Sequence, residues 1–137
     1  MWWLYALLSA LFASLTAIFA KVGMKDIDSD LATAIRTIII LVLAWLIVFF
    51  KGNFQSITSL TKNNILFLCL SGVATGLSWI FYFKALQIGK VSQVAPVDKL
   101  SVALTIILSV IILKEALTLK VAIGAVLIII GTITLII

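Results

Sequence analysis

Apolar positions dominate this chain in five near-continuous runs, and polar residues are mostly confined to the short gaps between them. The runs are residues 2–20, 31–50, 65–83, 94–113 and 121–137. Each is about 17–20 residues long, which at about 1.5 Å rise per residue matches a hydrocarbon core of about 30 Å. Unpaired backbone amides are not tolerated in hydrocarbon, so the runs predict helices rather than open strands. The expected fold class is an all-α membrane protein with five transmembrane helices, and residues 1–137 form one transmembrane domain.

Composition narrows the choice. The chain is 64% hydrophobic and only 11% charged, with a mean hydropathy of +1.35, whereas soluble domains carry about 25% charge. A net charge of +5 would point to nucleic acid in a soluble protein. Here most of the ten cations stand at the ends of apolar runs, where lysine and arginine reach headgroups, so no nucleic-acid partner is expected. There is no histidine, and the one cysteine, Cys69, lies inside the third run. That excludes Cys/His metal sites and a disulfide within one chain. No cofactor is expected. The first run has no basic n-region and is too long for a cleavable signal, so it reads as a retained helix anchored by Trp2, Trp3 and Tyr5.

The gaps carry helix punctuation. Residues 21–30 hold three aspartates and two lysines, with Gly23 as a stop and Asp28, Ser29 or Asp30 as N-cap for the second helix. Residues 51–64 form the longest link, opening on Gly52. Gly89 is the expected cap between the third and fourth helices, and residues 114–120 form a tight turn.

Five spans put residues 51–64 and 114–120 on one side, and 21–30 and 84–93 on the other. The flanking cations are Lys51, Lys62, Lys114 and Lys120 against Lys21, Lys25, Lys84 and Lys90, four against four. The positive-inside rule therefore sets almost no preference. Either a small bias elsewhere decides, from Arg36 or the α-amino group, or the chain inserts both ways and pairs antiparallel with itself.

Within the runs, polar and small residues recur at spacings of three and four, which share a helical face. The fourth run has Asp98, Ser101, Thr105 and Ser109; the third has Ser71, Thr75, Ser78 and Tyr82. The first has Ala6, Ser9, Ala13, Thr16 and Ala20, and the second adds Thr33, Arg36 and Thr37 near its start. Such stripes are also the ordinary packing surface of membrane helices. The charges weigh more, because one near the bilayer centre costs about 2.5–3.5 kcal/mol on insertion scales.

Depth decides what Asp98 means. If the fourth helix begins near Ser92, Asp98 lies about two turns inside and Pro96 interrupts backbone pairing beside it. If it begins at Pro96, the proline takes its favoured first position and Asp98 merely complements the helix dipole. Asp98 and Lys99 are adjacent, about 100° apart on a helix, and do not simply face one another. In the fifth run, Gly124, Ile128 and Gly131 form a smooth face suited to a partner helix, as do Gly72 and Gly76 in the third.

Residues 76–86 (GLSWIFYFKAL), 91–97 (VSQVAPV), 113–115 (LKE) and 124–131 (GAVLIIIG) carry a further pattern. An aromatic precedes Ala-Leu, a proline comes early in the fourth helix, a glutamate ends it, and glycines flank the last helix. With Arg36 early in the second helix, this resembles the EamA domain of the drug/metabolite transporter superfamily over essentially the full length. Most members carry two inverted five-helix repeats. The resemblance implies one EamA-like repeat of a ten-helix dimeric transporter, with the first four helices lining the pathway and the fifth packing at the periphery or dimer contact. The smaller four-helix multidrug relatives depend on a glutamate in their first helix; the first run here has no acid, so that proton-coupling mechanism does not carry over.

The expectation is a secondary transporter subunit in a prokaryotic cytoplasmic membrane, moving a small metabolite by alternating access as an antiparallel homodimer. The pathway residues are Ser9, Thr16, Arg36, Ser71, Thr75, Ser78, Trp79, Tyr82, Asp98, Lys99 and Ser101. Arg36 or Lys99 would hold an anionic group, Asp98 a proton or cation, and Trp79 and Tyr82 would stack on an apolar substrate. The alternatives are a non-transporting accessory subunit and one half of a heterodimeric transporter. An enzyme is not expected, since no nucleophile–base constellation or suitable carboxylate pair is present.

Overall fold

The computed structural model describes residues 1–52, 54 and 57–137 with their side chains, and the backbone of the short helix containing the remaining three. It is all-helical among the described residues. Helix α1 is Trp2–Gly23, α2 is Ser29–Phe50, α3 is Lys62–Ile88, α4 is Val91–Asp98, α5 is Leu100–Ile112 and α6 is Leu119–Ile136. A 3-10 helix, Asn53–Ser59, links α2 to α3. Helices α1, α2, α3 and α6, together with Val91–Ile112 spanning α4 and α5, are five segments long and apolar enough to cross a membrane. The five expected spans are therefore present.

Side-chain exposure is inverted relative to a soluble protein. Large apolar groups such as Phe50 and Leu119 stand 83% and 77% exposed, and the largest fully buried side chains are Phe83 and Leu86. Exposed apolar surface on this scale belongs against lipid or other helices rather than water.

The chain divides into two compact units, Ala20–Gln87 and Met1–Phe19 with Ile88–Ile137. In the first unit, α1 stops at Gly23 as expected, and Asp28 is the N-cap of α2. Its carboxylate accepts from the amides of Asp30 at 2.9 Å and Leu31 at 3.2 Å, two donors a bare helix start leaves unpaired. Between them Asp26 takes a left-handed conformation at φ 64°, which aspartate tolerates better than most residues. Beyond α2, Gly52 turns the chain with φ 68°, and a residue with a Cβ would be strained there. The link over residues 51–64 contains the 3-10 helix, and its Phe54 ring sits 5.8 Å from Trp45.

In the second unit, α6 packs along both α4 and α5. The fourth span begins at Val91, so Pro96 lies inside α4 and not at a helix start. Proline has no amide hydrogen and its ring crowds the preceding turn, which weakens the helix locally. The amide of Lys99 bonds back only three residues, to the Pro96 carbonyl at 3.0 Å, and Val102 does the same to Lys99. This tightened turn separates α4 from α5. After α5, Lys114 adopts φ 55°, a position glycine commonly fills, and the Glu115 amide returns to the Ser109 carbonyl at 3.3 Å.

Candidate functional site

The polar groups of the first unit gather at one end and near Arg36. Lys21, from the last turn of α1, donates through Nζ to the carbonyls of Leu86 at 2.6 Å and Gln87 at 3.1 Å. These carbonyls belong to the last turn of α3, where acceptors lack intrahelical partners and the helix dipole favours a cation. Gln87 Nε2 donates to the Ile27 carbonyl at 2.7 Å. Leu86 and Met24 are buried beside this junction in the sequence, at 0% and 3% exposure. Lys21, Gln87 and Phe83 were absent from the expected site residues. Lys21 read as an ordinary interfacial cation, and no local spacing reveals a bond spanning more than sixty residues.

Arg36 is the eighth residue of α2, about 10 Å along the helix from Ser29 at the usual rise. Its guanidinium carbon lies 3.9 Å from the centroid of the Phe83 ring. Phe83 is 2% exposed, and Tyr82 stands beside it with ring centroids 5.3 Å apart at 63°. A guanidinium on an aromatic face gains a cation–π interaction, which strengthens as water is excluded. The ring supplies no in-plane acceptor, and Arg36 Nη1 is buried without a hydrogen-bond partner among the described residues. The neighbouring hydroxyls donate within the helix, Thr33 to the Ser29 carbonyl at 2.7 Å and Thr37 to that of Thr33 at 2.8 Å.

On α3, Ser71, Thr75 and Ser78 are exposed, and Trp79 and Tyr82 are half-buried. Thr75 bonds the Ser71 carbonyl at 2.8 Å. Back-bonding within the helix satisfies such a hydroxyl without any partner helix. The structure thus joins Arg36 with the aromatic end of this stripe and leaves its hydroxyl end open.

In the second unit, Ser9 is exposed and Thr16 half-buried. Lys99 Nζ pairs with Asp98 Oδ2 at 3.2 Å, with side-chain exposures of 56% and 32%. The expectation that these neighbours do not face one another is corrected here: at the turn between α4 and α5, the long lysine stem reaches back to the carboxylate. Ser101 is exposed, and its carbonyl accepts from Thr105 at 2.8 Å. Thr132 on α6 is buried and donates to the Pro96 carbonyl at 3.3 Å, stitching the proline-containing turn to its neighbour.

The glycine faces are open. A Cβ built on Gly72, Gly76, Gly124 or Gly131 would meet nothing within 4 Å. Two grooves of about 420 and 400 Å³ are formed by other residues, one including Lys21, Asp26 and Gln87, the other Trp45, Phe49 and Phe54. Neither contains any of the expected pathway residues.

Five apolar spans, the fourth divided by a tightened turn at Lys99 and the second carrying an arginine, define a polytopic helical membrane protein. The whole chain, residues 1–137, matches the EamA-like transporter family, and the protein belongs to that family of membrane transporters. A Sinorhizobium protein named an uncharacterized transporter in the cobO 3′ region is 50% identical over 118 residues, covering 86% of this chain and 84% of its own. An uncharacterized protein of Methanocaldococcus jannaschii is 33% identical over 129 residues, covering 94% of this chain and 91% of its own. No solved structure matches the chain.

Proposed function

We propose that the chain is one five-helix repeat, a single domain over residues 1–137, of a ten-helix secondary transporter in the cell membrane. It moves a small metabolite by alternating access as an antiparallel homodimer. The observation that carries this reading is the open state of the expected pathway. Ser71, Thr75, Ser78, Lys99 and Ser101 are exposed on the single chain, whereas a transport route must be enclosed. The uncovered glycines of α3 and α6 offer the smooth surfaces on which membrane helices approach closely. An odd number of spans with four flanking cations on each side supports the second copy being inverted, and inverted repeats rocking about a central site supply alternating access. Both relatives are matched over most of their own lengths by this one repeat, which supports a single repeat as the working unit.

The test is topology. With Cys69, the free and exposed thiol, replaced by serine, single cysteines at Lys25 and Asn63 are labelled in intact cells with an impermeant thiol reagent. Partial and comparable labelling of both supports the antiparallel homodimer. Labelling of one alone overturns it and moves the search to an oppositely oriented partner chain.

A second reading, a non-transporting accessory subunit, is favoured by the intrahelical hydroxyl bonds of Thr75 and Thr105. It requires alanine at Ser78 or Ser101 to alter stability and leave solute flux in reconstituted vesicles unchanged.

A further inference from the structure

Arg36 presents a problem that the folded chain itself does not solve. Its charge sits within a membrane-spanning helix, yet the one ion pair among the described residues is Asp98–Lys99. Arginine in such a place normally reaches the interface or takes an anionic partner. Instead the guanidinium lies 3.9 Å from the Phe83 centroid while Nη1 is buried and unbonded. Aromatic contact holds the group over a buried ring. The ring accepts no hydrogen bond from Nη1, and a guanidinium's planar fork of donors suits two oxygens of one oxyanion.

No acceptor on α2 bonds Nη1 in this fold, and the polar side chains near the helix start turn to the backbone. Thr33 and Thr37 donate to backbone carbonyls of α2, and the Asp28 carboxylate caps the amides of Asp30 and Leu31. We infer that Arg36, stacked on Phe83 beside Tyr82, is the seat of an oxyanion, a carboxylate or phosphate group carried either by a dissolved substrate or by a lipid headgroup. The inference rests on the transporter reading only for the dissolved-substrate case, where it names the class of solute as anionic. Lys99, the other cation expected to hold an anion, is paired with Asp98 and is the weaker candidate.

The experiment uses the full chain in nanodiscs of phosphatidylcholine, followed by the thermal unfolding of its tryptophan fluorescence. Sodium phosphate and sodium succinate are compared with sodium chloride at equal ionic strength. The expected result is a saturable rise in Tm with at least one oxyanion. Arg36→Lys keeps the charge but loses the fork, and should weaken that response about tenfold. Arg36→Gln should abolish it, Phe83→Leu should weaken it severalfold through loss of the stacking face, and Lys120→Gln should leave it unchanged. If nanodiscs containing phosphatidylglycerol raise Tm in an Arg36-dependent way and added phosphate then adds nothing, the headgroup is the occupant. If the dissolved anions act in phosphatidylcholine, the solute is.

A wild-type protein indifferent to phosphate, succinate and phosphatidylglycerol overturns the inference whether or not the variants fold. So does a response undiminished in a folded Arg36→Gln protein. Dual topology together with such indifference leaves the homodimeric transporter standing and removes its anionic substrate. Arg36-dependent binding in a chain of single orientation does the reverse.

Discussion

The two units of this chain solve the same problem, holding helices together in an apolar solvent, by opposite means. Ala20–Gln87 is tied by polar side chains that cross from one element to another. Lys21 reaches the end of α3, Gln87 reaches the link between α1 and α2, and Arg36 stacks on Phe83. In the unit containing α4, α5 and α6, helices pack along one another, with a weak polar tie from Thr132 to Pro96 at 3.3 Å. Lipid removes most of the hydrophobic drive for helix association, so packing and directional bonds must supply the difference. A unit built on directional bonds has a defined geometry near its charged groups. One built on smooth packing can slide with less loss.

That contrast can be broken most severely at Phe83. Phe83→Ala should destabilise the folded chain by about 3 kcal/mol, the low end for a buried aromatic because lipid also accommodates the unfolded side chain. Unfolding by graded denaturant in mixed micelles reads this. Lys21→Met should follow at about 1.5–2 kcal/mol, since two acceptors at the end of α3 lose a charged donor; faster amide exchange at residues 86–90 should accompany it. Thr132→Val should cost only about 0.6 kcal/mol, the usual worth of an interhelical bond in lipid. A larger loss than at Lys21 would erase the distinction between the units. Lys114→Gly should do the opposite and stabilise by about 0.5–1 kcal/mol, by relieving a left-handed conformation that disfavours a Cβ.

Much of this architecture was legible in the residues. Span number follows from run length because the hydrocarbon thickness is fixed, Gly23 marks its helix end by local chemistry, and the N-cap of α2 was narrowed to Asp28, Ser29 or Asp30, of which it is Asp28. The family resemblance also lies in local motifs, and the match over residues 1–137 bears it out. Pro96 left two readings open, and the helix start at Val91 places the proline inside its helix. The 3-10 helix carrying Phe54 escaped because seven residues of mixed polarity have no period to read. Arg36 was named for its charge, but its aromatic seat lies forty-seven positions further along the chain. Asp98 and Lys99 were judged by helical angle, which fails where a long side chain meets a tightened turn.

The turn at Lys99 also bears on how the protein is made. Neither piece of the fourth span crosses a bilayer by itself: eight and thirteen residues extend only about 12 and 20 Å. The insertion machinery must therefore accept both together, with a carboxylate and an ammonium at the eighth and ninth residues of the segment. Entering as separate charges, each would oppose partitioning, by up to about 2.5–3.5 kcal/mol at the helix centre. Entering as neighbours 3.2 Å apart, they present the lipid with a local dipole whose net charge is zero. Adjacency in sequence makes that pairing available as soon as the residues leave the ribosome, before any other helix has arrived to shelter them.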